Sequence, residues 1–331
     1  MTELTTSARP AHDLTPTHWH RPLVAIAIAA AVLGVISVIM AFVDPVQIVG
    51  TNGWLKPIKF SISTSVYAIS FAWLIGRRRR WQRTAWWAGT LVTIGMVIEL
   101  AIIVGAVALG TTSHFNVSTP LHIAMWSIMA GSIGMVWMMS LLVAFAVMRN
   151  PEQSRSRNWA IRGALVISLA GLAVAFLMTT PTSGQLSNFQ GIAGAHAVGV
   201  ADGGPGLPLL GWSTVGGDLR VPHFIGMHAL QVLPLILMGL EVASRKIRVL
   251  QTERVRFRLT ALAVIAFAAL VAIVTAQALI GQSIVAPRGP IAIALVALAV
   301  VVFGGGTLIL VREQSLTRVV PLRPRVPAVS R

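Results

Sequence analysis

Residues 85–110, "AWWAGTLVTIGMVIELAIIVGAVALG", carry a single charged side chain, Glu99. A helix needs about 20 apolar residues to cross roughly 30 Å of hydrocarbon, and this run is longer. Backbone groups in lipid must be hydrogen-bonded internally, so such a run reads as a helix. Seven further runs read the same way, at about 22–43, 58–76, 121–148, 162–180, 223–243, 259–281 and 291–311. The chain is 55% hydrophobic and only 11% charged, and its mean hydropathy of +0.78 excludes a soluble domain. The expected fold is an all-α membrane protein, a bundle of about eight transmembrane helices. A tail at 1–21, a transmembrane domain at 22–311 and a tail at 312–331 are the expected divisions. The first run is longer than the apolar core of a secretory signal and has no clear small-x-small cleavage site after it, so it reads as a span.

Orientation follows from the cations. The loops "RRRRWQR", "RNPEQSRSRNWAIR" and "SRKIRVLQTERVRFR", with the two tails, hold all but four of the 26 Lys and Arg. The exceptions are Lys56, Lys59, Arg220 and Arg288. The positive-inside bias puts both termini in the cytoplasm of a bacterial plasma membrane. The net charge of +16 is therefore read as topology and contact with anionic headgroups. No basic domain with interleaved aromatics suggests nucleic acid. The absence of cysteine excludes disulfides, thiolate metal sites and a cysteine nucleophile.

The external loops are richer. Between spans five and six, residues 181–222 contain ten glycines and few charges. Loops of this length are usually functional or unstructured, and the apolar residues in this one argue for a packed cap over the bundle mouth. Within it "GWSTVGGDLR" places Asp218 and Arg220 at ion-pair spacing. The glycines of "DGGPGLP" are followed by neither a phosphate-loop lysine nor the spaced carboxylates of a calcium loop, so the segment reads as a series of turns.

Five of the eight histidines are external or near the outer leaflet: His114, His122, His196, His223 and His228. An ionisable residue inside a span is a functional candidate by default. In a regular helix His223 and His228, five apart, lie about 140° apart. His223 is thus expected to cap the entrance of span six. His228 shares one face with Gln231, Pro234, Met238 and Glu241. Span two repeats Lys56, Lys59, Ser63, Tyr67 and Ser70 on one face. Glu99 needs a partner or a proton, and Lys59 or Tyr67 is the expected partner. His114, Asn116, Arg220 and His223 form the expected outer rim. "HWH", residues 18–20, reads as an interfacial anchor rather than a metal site.

Two kinds of site account for this pattern. One is a bis-histidine haem b between His122 and His228, in a membrane redox component linked to quinone. The other is a proton-, metal- or solute-handling cavity on the same residues. His122, Met125 and Met129 suit Cu(I) as imidazole and thioether donors, although methionine is also common core filler. A structural or sensory subunit is the third reading.

"GWLKPIKFSIS", "SHFNVSTPLH" and "DGGPGLPLLGWSTVGGDLRVPHFIGMHALQVLPL" resemble a family of uncharacterised bacterial multi-span membrane proteins over about residues 44–235. The resemblance implies a multi-span fold and transfers no catalytic residue. Haem A synthase likewise has eight spans, with paired outer histidines. This chain departs from that pattern, because spans two and eight have no histidine.

Overall fold

The computed structural model describes residues 19–77, 81–152 and 154–319, the last five by backbone alone. Both expected tails, His18 and Arg78–Arg80 lie wholly or largely outside the described residues.

The described chain is helical. In order run α1 (Arg21–Val43), a two-residue hairpin β1–β2 (Gln47–Ile48, Thr51–Asn52), α2 (Leu55–Gly76), α3 (Gln82–Ala108), α4 (Pro120–Met148) and α5 (Arg155–Met178). The cap follows, with α6 (Ser183–Ser187), β3 (Ala197–Val198) and β4 (Gly217–Asp218). Then come α7 (Arg220–Met227), α8 (Ala229–Ala243), α9 (Glu253–Leu279) and α10 (Gly289–Val319). Seven of these helices are long and apolar enough to cross a membrane, or eight when α7 and α8, bent by 43°, count as one span.

Local chemistry sets several of the ends. The Thr119 side chain accepts from the His122 N–H, with Pro120 at the first helical position, and this pair starts α4. Ser154 caps α5 in the same way. Large apolar side chains such as Phe42 and Phe303 lie on the outside, as lipid contact requires. The largest core cluster joins α1, α2, α3 and α4 and includes Ile161, Leu165 and Leu230 from α5 and α8. A second cluster joins α5, α8 and α9. Helix α10 packs on α9 at the periphery.

Span six departs from the regular helix expected. His223 does not cap the entrance, because α7 already begins at Arg220. The helix breaks at His228 instead. The Met227 carbonyl accepts a hydrogen bond from Ser168 Oγ at 2.9 Å. The Gln231 N–H turns to the His228 carbonyl, three residues back, at 3.0 Å. A side chain inserted into the i→i−4 ladder is a recognised cause of a kink. The bend presses Gly226 onto α5 so closely that a Cβ on it would lie 2.6 Å from the Gly171 Cα.

The cap is packed. β3 pairs with β4, and Asn116 bridges to Ile192. The Ala193 N–H donates to the Phe115 carbonyl and the Val117 N–H to the Gly191 carbonyl, both at 2.8 Å. Ser283 Oγ donates to the Ser213 carbonyl at 3.0 Å. These bonds tie residues 181–222 to the α3–α4 and α9–α10 loops.

Candidate functional site

The polar residues of α2, α3 and the α3–α4 loop meet beneath the cap. Glu99, on α3, is only 4% exposed. Its Oε1 lies 3.8 Å from His114 Nε2, and its Oε2 is buried without a hydrogen-bond partner among the described residues. On the other edge of the ring, His114 Nδ1 lies 3.0 Å from Lys56 Nζ and 3.1 Å from Ser113 Oγ. An ammonium has only protons to give. With Lys56 charged, Nδ1 of His114 accepts and Nε2 carries the ring proton toward Glu99.

His114 is held among aromatic rings, edge-on to Phe60 and Phe115 and tilted against Trp126 and His196. Phe60, Phe115, Trp126 and His196 rings surround it at centroid distances of 5.7, 5.9, 5.7 and 6.3 Å. Phe115 adopts a left-handed φ of 64°, a conformation that costs energy in a non-glycine residue and here lets the loop fold inward. Burial, with Lys56, His196 and His223 nearby, holds the His114 imidazole well below its usual range.

The cap supplies the rest of the roof. His196 Nδ1 donates to Asp202 Oδ2 at 2.7 Å. Burial alone would raise the Asp202 carboxyl, but the bonds from His196 and from the backbone of His196 and Ala197 outweigh it and hold the group at about 2. Burial lowers His196 itself. The Asp218–Arg220 pair is formed, at 2.6 Å, as the sequence spacing suggests. Arg220 also donates to the Gly211 carbonyl at 2.6 Å, and Lys59 Nζ to the Leu210 carbonyl at 2.9 Å.

The expected partners of Glu99 are therefore replaced. Lys59 reaches up to the cap, and Tyr67 bonds Ser140 Oγ at 2.8 Å between α2 and α4. Lys56, one turn before Lys59, and His114 take the place beside Glu99. Asn116 is a loop brace, donating to Thr111 and accepting from Ser118. His223 Nδ1 donates to the Gly171 carbonyl at 2.9 Å.

His228 belongs to a second, deeper chain. Ser70 Oγ gives its proton to the Val66 carbonyl, so it must accept from Gln231 Nε2, at 3.0 Å. Gln231 Oε1 then faces His228 Nδ1, at 3.1 Å. An amide oxygen only accepts, so His228 is protonated on Nδ1, and in the neutral ring Nε2 keeps its lone pair. His122 is half-exposed, with Nδ1 turned to Thr119 and Ser118 of its own turn at 2.8 and 3.2 Å. No hydrogen bond, ion pair or ring contact joins it to His228 among the described residues. Met129 is fully buried in the bundle beside a half-buried Met125. Among the described residues, no group of three or more His, Asp or Glu is arranged to hold a metal ion.

Sequence reasoning missed Lys56, His196 and Asp202 as site residues. Lys56 was visible in the polar stripe of span two, but nothing local ranks it above Lys59. His196 and Asp202 are joined only by the turns of the cap.

Fold and site define a helical protein with long apolar helices and a buried, protonatable cluster under a loop cap. No protein-family model, curated protein or solved structure matches the chain, so the functional reading rests on this cluster.

Proposed function

We propose that this chain is a multi-span protein of a bacterial cytoplasmic membrane, with both termini in the cytoplasm, that moves protons through its outer chamber in a proton-linked transport step. The positive-inside distribution supports the orientation. One observation carries the function: Glu99, within an apolar helix, is buried with one carboxyl oxygen unbonded among the described residues and the other facing a histidine that Lys56 contacts on its opposite edge. A carboxylate so placed takes a proton or a charged partner, and such groups mark proton paths. His114 relays by accepting a proton at Nδ1 from Lys56 or water while releasing the Nε2 proton to Glu99. His196, Lys59 and Arg220 form the outer gate.

The test uses protein reconstituted in vesicles loaded with a pH-sensitive dye. Under an imposed membrane potential, wild type should pass protons faster than Glu99→Gln by about tenfold or more, with Glu99→Asp between them. Equal dye responses would overturn the reading. A haem b on His122 and His228, the alternative drawn from sequence, predicts a Soret band that His122→Ala or His228→Ala abolishes. That spectrum, with no Glu99 effect, would put a redox role in place of transport.

A further inference from the structure

We propose that the opening beside Gly211, between Lys59 of α2 and Arg220 of α7, binds the carboxylate of a small organic monoanion, the substrate that moves with the proton. The site stands on its own geometry, and its part in transport rests on the proton reading above.

Gly211 adopts a left-handed φ of 67° and has no side chain to fill the space beside it. A Cβ there would have two neighbours within 4 Å, Arg220 Nη1 and Lys59 Nζ, each at 3.9 Å. The two cationic nitrogens thus flank one opening and stand at most twice that distance apart. Two like charges so close repel, and one anion between them replaces the repulsion with two attractions.

Both nitrogens have protons to spare. The Arg220 fork uses Nε and Nη2 on Asp218, at 2.9 and 2.6 Å, and Nη2 also reaches the Gly211 carbonyl at 2.6 Å. Its Nη1 has no hydrogen-bond partner among the described residues. Lys59 Nζ gives one of its protons to the Leu210 carbonyl, and an ammonium carries three. Asp218 is only 3% exposed and already balances Arg220. The opening therefore presents one net charge, that of Lys59, which suits a monoanion. Charge-assisted hydrogen bonds of about 2.8 Å from either side leave the middle to the two oxygens of one carboxylate. Leu209, two residues before Gly211, is exposed, so the opening lies near the outer surface of the cap.

The site also neighbours the proton cluster. Lys56 stands one turn before Lys59 and contacts the His114 that faces Glu99. A proton on Glu99 removes the charge that offsets Lys56. The field at the opening then turns more positive and anion binding tightens. By reciprocity, the bound anion favours the proton.

The probe is acetate, with inorganic phosphate and chloride in parallel, in melts of the purified full-length protein at constant ionic strength. Acetate should raise the wild-type melting temperature above that in chloride. Lys59→Met should raise the half-maximal acetate concentration by about tenfold or more, the effect of losing one charged hydrogen bond. Gly211→Asp is the decisive variant. Aspartate tolerates a left-handed φ, and its carboxylate would fill the opening while Lys59 and Arg220 keep their bonds to the cap. The acetate shift should vanish in this variant, which should also melt above Gly211→Asn, of the same shape without the charge. An equal acetate shift in wild type and Gly211→Asp is a bulk salt effect and overturns the site, even where Glu99→Gln has lost proton flux. A shift with phosphate but not with acetate overturns the carboxylate assignment. An acetate shift lost in Gly211→Asp, with unchanged flux in Glu99→Gln, supports the anion site and removes the proton reading, and the coupling with it.

Discussion

His20 shows how much one side chain decides at the residue scale. It is 2% exposed. Its Nδ1 accepts from the Leu23 N–H at 3.2 Å, capping α1, and its Nε2 faces the Trp86 carbonyl at 2.9 Å on α3. An acceptor at Nδ1 and a donor at Nε2 require the neutral ring with its proton on Nε2. Protonation would destroy the cap. Burial accordingly lowers the His20 pKa below its ordinary 6.5, against the Trp86 bond that raises it. A lowered imidazole pKa means that the unfolded state binds more protons. The stabilisation is therefore complete above pH 6.5 and is lost as pH falls through the folded-state value. His20→Ala should cost about 1–3 kcal/mol at neutral pH. In melts of the purified protein, the gap between wild type and His20→Ala should narrow on going from pH 7.5 toward pH 5. A gap that does not change with pH would refute this assignment. The sequence shows His20 only as part of "HWH", because its partner lies 66 residues away.

At the scale of the element, span six is the instructive case. Its length and apolarity were legible, and so was the stripe from His228 to Glu241. The break at His228 was not, since it depends on Ser168 of α5 reaching the Met227 carbonyl and on the contact between Gly171 and Gly226. Ser168→Ala frees that carbonyl and should cost about 1 kcal/mol. Gly226→Val should cost more, about 1–3 kcal/mol or greater, because its side chain would meet the α5 backbone with nowhere to move. Thermal unfolding in one detergent measures both. A Gly226→Val protein as stable as wild type would rule out this close approach of α7 and α5.

Across the whole molecule, the cap and the bundle are clamped by two cations. Lys59 and Arg220 donate to the successive carbonyls of Leu210 and Gly211. Arg220 is neutralised by Asp218, while among the described residues Lys59 hydrogen-bonds the Leu210 carbonyl. Lys59→Met should therefore loosen residues 200–216 without unfolding the helices. Limited proteolysis should cut this segment several-fold faster in the variant, at an unchanged melting temperature. Identical cleavage rates would show that Lys59 does not hold the cap.

The order of seven or eight long apolar helices, the packed loop between the fifth and sixth, and the Asp218–Arg220 pair were all readable from the chain. Each is a local property: hydrophobic length, glycine-rich turns, or two residues of spacing. The Glu99–His114–Lys56 cluster was decided by tertiary structure alone. Glu99 was conspicuous as a charge in an apolar run, but its neighbours are fixed by how α2, α3 and the inward-folded loop meet. Lys56 and His114 stand 58 positions apart, and no periodicity carries across that distance. The choice of Lys56 over Lys59 comes from helix rotation and from a cap that engages the second lysine. Both are set by the packing of elements against one another rather than by any stretch of sequence.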